Sequence, residues 1–443
     1  MKTIRIILSC ILTGAILIFG IKPALAFCGF YVAKADSSLY NQASQVIIAR
    51  DGNRTVITMS NDYQGEVKDF AMVVPVPVIL KEEQVHVGES KILERLDGFS
   101  APRLVEYFDS DPCFKPQYDR GVFKSRARNE SAFLQNAPLL EEDLGVTIEE
   151  QFSVGEYDIL ILSAKESDGL ETWLIQNDYQ IPEGAKELLQ PYIKQNLKFF
   201  VAKVNLEEFD TNGFEKLRPI SIAYESPKFM LPIRLGMMNA NGDQDLIVYL
   251  LSPKGQIELT NYRTAKIPSN VLIPEFVGQD FSNFYTAMFQ TSYEAEKKQV
   301  AFLEYAWDMS TCDPCSAEPL NREELKQAGV FWLDKQANNR WGGNNVFMTR
   351  LHVRYTRDKF PEDLKFQSTS DRTNFQGRYV IRHPYKGDLG CKAGQRYQEQ
   401  LKQRQEEETY TLAELTRWTP EEISDRIETI ESQTPPWWSE LWN

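Results

Sequence analysis

Cys312 and Cys315 stand three residues apart in the stretch Tyr305-Ala306-Trp307-Asp308-Met309-Ser310-Thr311-Cys312-Asp313-Pro314-Cys315. This is the C-x-P-C form of a thiol-disulfide oxidoreductase. It follows an apolar run, Val300 to Tyr305, and precedes a helix expected to begin at Asn321. Redox chemistry needs a thiolate, which a helix N-terminus or a neighbouring cation stabilises. Asn321 lies six residues past Cys315, and Asp308 and Asp313 disfavour a thiolate. The expected role is therefore a structural disulfide between Cys312 and Cys315, and the alternative is an oxidoreductase using the same pair. Cys28, Cys113 and Cys391 are the other disulfide candidates. With Cys10 removed in a leader, five cysteines leave one thiol over, and sequence does not choose the pairing.

A second constellation is cationic. Arg350, His352 and Arg354 alternate with Leu351, Val353 and Tyr355, so a strand would project all three from one face. Arg378, Arg382 and His383 follow on another segment. The six are candidates to bind a carboxylate or phosphate. The competing expectation is cross-strand pairing with the chain's own acids. Cys312, Cys315, His383 and Cys391 make only an irregular zinc set. Asn239 to Asp245 places oxygen ligands as a calcium loop does, but Leu250 stands where the bidentate glutamate belongs, so a turn is expected. No Ser-His-Asp signature, HExxH or phosphate-cradling glycine loop is present. No metal, cofactor or catalytic residue is assigned, and the reading leans away from an enzyme.

These groups must be positioned by a chain of 443 residues, long enough for two or three domains. With 42% hydrophobic and 12% aromatic residues it has the means to build cores. Lys2 and Arg5, the apolar run Ile6 to Phe19 and the Ala24-Leu25-Ala26 site read as a secretory signal over 1–26. Its removal takes Lys2, Arg5 and Lys22, leaving 46 basic against 63 acidic residues, so the net charge goes from −14 to −17. Such acidity argues against nucleic acid as a partner. The expected location is periplasmic or extracellular.

The pattern predicts an α+β fold: two β-rich, sandwich-like regions, a helical insert and a helical C-terminal segment. The expected domains are 27–225, 226–390 and 391–443. Val46 to Arg50 and Thr55 to Met59 flank Asp51-Gly52-Asn53 and predict a hairpin. Leu246 to Leu251 and Gln256 to Thr260 flank Ser252-Pro253-Lys254-Gly255 and predict another. Tyr157 to Val204 reads as a β-α-α-β insert. Asn321 and Glu324, and again Thr419 and Glu422, form capping boxes. The tail from Pro435 to Trp442 carries Trp437, Trp438 and Trp442, which suit contact with a protein or envelope partner.

CGFYVAKADSSLYNQASQVI (28–47), VVPVP (73–77), SAPRLVEYFDSDPC (100–113), NDYQIPEGA (177–185), EYAWDMSTCDPC (304–315), RLHVRYTRDKFPEDL (350–364) and NFQGRYVIRHP (374–384) together resemble the bacterial family catalogued as domain of unknown function 2330. The resemblance implies an exported protein and brings no agreed activity, cofactor or catalytic residue.

Overall fold

The structure, a computed structural model, describes residues 30–34, 40–64, 70–113, 146–165, 167–176, 179–180, 185–205, 209, 217–239, 242–311, 313, 317–333 and 345–433. Residues 1–26, Cys28, Cys312, Cys315 and the Trp-rich tail lie outside the described residues.

One large sheet organises the molecule. Its strands run in the order β15 (Arg263–Lys266), β17 (Val300–Asp308), β18 (Phe347–Tyr355), β13 (Gln244–Ser252), β2 (Tyr40–Asp51), β3 (Arg54–Gln64), β11 (Ile220–Glu225) and β5 (Val85–Val87). Short β20 (Phe375–Gln376) adds to β17. The β2–β3 hairpin forms as its turn chemistry predicts: Asp51 faces Arg54, and Gly52 takes the positive φ (59°) that a two-residue turn requires.

A second sheet runs β7 (Val146–Val154), β8 (Tyr157–Ala164), β10 (Lys198–Val204), β4 (Phe70–Val76), β1 (Phe30–Lys34) and β9 (Tyr179–Gln180). Because side chains alternate across a strand, each sheet has two faces to cover. Val46 and Ile48, Leu246, Val248 and Leu250, and Leu351 and Val353 of the large sheet share one core with Met72, Val74, Ile159, Ile161, Phe200 and Ala202 of the second. Each such Val, Leu, Ile, Met or Phe side chain contributes about 1.5–3 kcal/mol when fully buried. The second sheet's far face packs under α2 (Ser167–Gln176) and α3 (Ala185–Lys194) through Leu170, Leu174, Leu188 and Leu189. The large sheet's far face lies under α1 (Lys91–Ser100), α4 (Phe281–Ala295) and α5 (Arg322–Gln327). The architecture is thus helices, sheet, sheet, helices, an α+β fold.

The second sheet draws all its strands from residues 30–204, but the large sheet is not divided at 225/226. β2 and β13 pair in parallel from Ser44↔Leu246 to Ala49↔Leu251, so strands from both sides of that position share the large sheet.

The expected hairpin over 246–260 does not form. β14 (Ile257–Leu259) leaves β13 and pairs with β19 (Leu364–Ser368), which also holds β12 (Met230–Leu231). At the corner a Cβ on Gly255 would fall 2.2 Å from the Asp371 carbonyl oxygen. That close approach, with the Gln256 N–H donating to the same carbonyl, turns the chain out of the sheet.

A small parallel sheet, β16 (Val271–Leu272), β21 (Arg378–His383) and β6 (Arg103–Phe108), sits beside α6 (Lys392–Thr416). α6 stops at Arg417, which is left-handed at φ 58°, and α7 (Pro420–Gln433) follows. The Thr419–Glu422 capping box forms, as does the one at Asn321 and Glu324. Leu412 of α6 and Ile423 of α7 are buried in the core beneath α4, where Trp418 also packs.

Candidate functional site

The period-2 argument places Arg350, His352 and Arg354 on one face of β18, and the structure agrees. That face points toward α1 and α4. On β13, Asp245 stands directly opposite Arg354. On β17 a bulge intervenes: pairing to β18 shifts between Leu303↔Leu351 and Tyr305↔Arg350, leaving Glu304 as the extra residue. A bulge re-aims side chains. Here it brings Glu304 onto Arg350 and His352.

The result is a chain of ions, largely buried except at Asp97, whose side chain is 41% exposed. Arg350 donates from Nε to Glu304 (2.6 Å) and from Nη1 to Asp97 on α1 (2.6 Å). His352 pairs through Nδ1 with Glu304 (2.8 Å) and through Nε2 with Asp245 (2.9 Å). Arg354 grips both oxygens of Asp245 (2.8 and 2.6 Å) and donates to Gln290 on α4 (2.9 Å). Tyr285 donates to Glu304, and Tyr249 to Asp97. Phe289 stacks on His352 at 4.0 Å between ring centres, closing the cluster from the helix side.

Electrostatics follow from this pairing. Burial by itself would raise Glu304, which is 1% exposed, but the His352 and Arg350 charges hold its carboxyl at about 2. Burial likewise opposes the charge on Asp245, and His352 and Arg354 bring it to about 2. Burial would lower His352, yet Glu304 and Asp245 raise it to about 9. Three carboxylates, of Asp97, Asp245 and Glu304, thus face three cations, of Arg350, His352 and Arg354. A His held doubly protonated is not a general base at neutral pH. The carboxylates that these cations bind are the protein's own.

The other three candidates lie elsewhere, on β21. His383 is held between Glu275 (2.8 Å) and Glu106 (2.6 Å) and is raised: burial lowers it, and the two hydrogen bonds outweigh that. Phe108 stacks on it at 4.5 Å. Arg382 approaches Asp109 at 3.4 Å, and Arg378 donates to Asn270 (2.5 Å). Asp109 also accepts from Arg404 and Tyr397 of α6, both at 2.7 Å. Glu408, one turn past Arg404, is buried, and its Oε1 has no hydrogen-bond partner. Burial, reinforced by the charges of Asp109 and Glu275, pushes it up to about 7 against the pull of Arg404.

Cys113 and Cys391 are joined in a disulfide, tying the segment after β6 to the start of α6. Cys391 is thereby engaged by Cys113, and His383 by Glu275 and Glu106, away from any zinc set. Among the described residues, no group of three or more His, Cys, Asp or Glu side chains is arranged to hold a metal. Asp245 turns into the ion cluster instead of a calcium loop. Asp313 accepts from Tyr305 (3.0 Å) and Gln376 (2.7 Å), and Asp308 pairs with Arg372 (2.6 Å). Sequence reasoning missed Glu304, Asp97, Tyr285 and Asp245's pairing. The one available signal was a lone acid in the apolar run Val300 to Tyr305, which needs a buried cation.

Residues 22–367 match the family of uncharacterised proteins conserved in bacteria designated DUF2330. No curated protein matches the chain, and no solved structure does. The chain belongs to that bacterial family, over more than three quarters of its length.

Proposed function

We propose that this member of the family is an exported, non-catalytic binding or envelope-associated protein, stabilised by disulfides. The observation that carries the reading is the closed charge balance of the central cluster. It gathers the residue types that chemistry uses, His, Glu, Asp, Arg and Tyr, and commits each to the others. A catalytic site keeps a base poised near the working pH; this one holds His352 charged and Glu304 and Asp245 ionised across the neutral range. The Cys113–Cys391 bridge supports an oxidising compartment, and the signal-like segment 1–26 supplies the route. Contact with a protein or envelope partner falls to the tryptophans of the tail.

Three measurements test the reading. N-terminal sequencing of protein recovered from the envelope or medium should begin at Phe27, and mass spectrometry should find Cys113 joined to Cys391. A cytosolic chain that keeps Met1 and both thiols overturns export. Insulin reduction that disappears in Cys312→Ser overturns the non-catalytic reading and promotes the oxidoreductase.

A further inference from the structure

The two sulfurs of the Cys113–Cys391 bridge sit in opposite electrostatic settings. Cys391 is the N-cap of α6, a helix of 25 residues, and its Sγ accepts the Gly394 N–H at 3.1 Å. Lys392 follows it directly. The approach depends on glycine: a Cβ on Gly394 would lie 2.4 Å from the Leu389 carbonyl oxygen. Cys113 Sγ instead lies 3.8 Å from the Asp388 carbonyl oxygen, and the Cys113 N–H donates to the Asp111 carboxylate at 2.7 Å. Negative charge is welcome on one sulfur and opposed on the other.

We infer that the Cys113–Cys391 disulfide is a directional redox latch on α6, opened by an external dithiol that attacks Cys113 and expels Cys391 as a thiolate. In the first step the dithiol's thiolate forms a bond to Cys113 Sγ. The Cys113–Cys391 bond breaks, and its electron pair leaves on Cys391 Sγ, where the Gly394 N–H and the helix N-terminus receive it. In the second step the dithiol's other thiol loses its proton to solvent and displaces Cys113, which takes up a proton. The bridge gains two electrons and the dithiol is oxidised to a disulfide. Exchange of this kind is governed by which sulfur is attacked and which leaves more readily.

The consequence is local. Without the bridge, the first turns of α6 are held among the described residues by the Tyr397 and Arg404 contacts to Asp109, by Arg404 donating to the Arg382 carbonyl oxygen, and by the Tyr385 N–H donating to Tyr397. Glu408, Leu412 and Thr416 remain buried further along. α6 packs on α4, and α4 covers the central ion cluster through Phe289 and Tyr285. The latch therefore acts on the end of the layer that closes that cluster. The inference concerns the bond and not the compartment, so it stands or falls apart from export.

The test uses the full oxidised chain, its free thiols first blocked with N-ethylmaleimide. Limiting 2-mercaptoethanol at pH 7, followed by acid quench and peptide mapping, should place the mixed disulfide on Cys113 over Cys391 by about tenfold. After dithiothreitol, iodoacetamide at pH 6.5 should label Cys391 about tenfold faster than Cys113. Hydrogen exchange should then quicken over 392–404 and stay slow over 408–416. An adduct on Cys391, equal labelling rates, unchanged exchange, or a bridge that yields only in denaturant would each overturn the latch.

Discussion

The central cluster and the cluster beside α6 use the same residue types and reach opposite ends. In the first, three acids meet three cations under two helices, with Glu304 and Asp245 held at about 2 and His352 at about 9. In the second, Glu106, Asp109, Glu275 and Glu408 face Arg382, Arg404 and His383, four acids against three cations. The surplus falls on Glu408, the buried acid without a hydrogen-bonded Oε1, and burial moves it to about 7. Charge parity makes a cluster indifferent to neutral pH; a surplus buried acid, Glu408 sharing Arg404 with Asp109, makes its neighbour sensitive to it. The covalent bond at Cys113 belongs to the second cluster, where ionic pairing alone is incomplete.

Removing Glu304 should separate the two most sharply. Glu304→Ala leaves Arg350 and His352 buried beside a lost partner, a loss of about 3–5 kcal/mol in urea unfolding. Glu106→Ala, at the exposed rim of the second cluster, should lose under about 1 kcal/mol. Equal losses would erase the distinction drawn between the two.

Next in size is the bridge. Replacing both Cys113 and Cys391 by Ser should lower stability by about 2–4 kcal/mol, since the bridge closes a very long loop in the unfolded chain. Thermal unfolding with and without reductant should show the loss in wild type and none in the double variant. A wild type insensitive to reductant would mean that ionic contacts alone hold α6.

A pH scan divides the clusters by window. Glu408 is raised in the folded state from its ordinary 4.5 to about 7. The folded state then binds the extra proton, so this contribution is full below about 4.5 and falls as pH rises through 7. His352, raised from 6.5 to about 9, contributes fully below about 6.5 and loses it as pH rises through 9. Glu408→Gln should flatten the lower limb, by about 1–3 kcal/mol, and leave the upper one. An unchanged lower limb would detach Glu408 from it.

The smallest effect should come from Phe108→Ala. The ring is 75% exposed and stacks only one face on His383, so the change should stay within about 0.5 kcal/mol by urea titration. A larger loss would show that the rim of the second cluster is less solvated than its exposure implies.

Local rules carried much of the reading. Alternation put Arg350, His352 and Arg354 on one face because β18 is regular. The Gly52 turn, both capping boxes and the insert helices came out because each depends on neighbours within a few residues. Where regularity breaks, the reading broke too. The bulge at Glu304 offsets the period of 2 in β17. The second expected hairpin was lost because β14 finds its partner more than a hundred residues later, in β19, and no local pattern records that. The Cys312–Cys315 pair lies outside the described residues.

By itself, the sequence determined the α+β class, the first hairpin, the capped helix starts, the net acidity, the family and the residues able to do chemistry, because periodicity, capping and composition are short-range properties. Only the tertiary structure decided what those residues face. A cation's role depends on whether a carboxylate stands within about 3 Å in a water-poor setting, and that distance is set by strand order, one bulge and the helices laid over them. The same holds for Cys113 and Cys391, 278 residues apart, which meet because the segment after β6 and the start of α6 lie side by side.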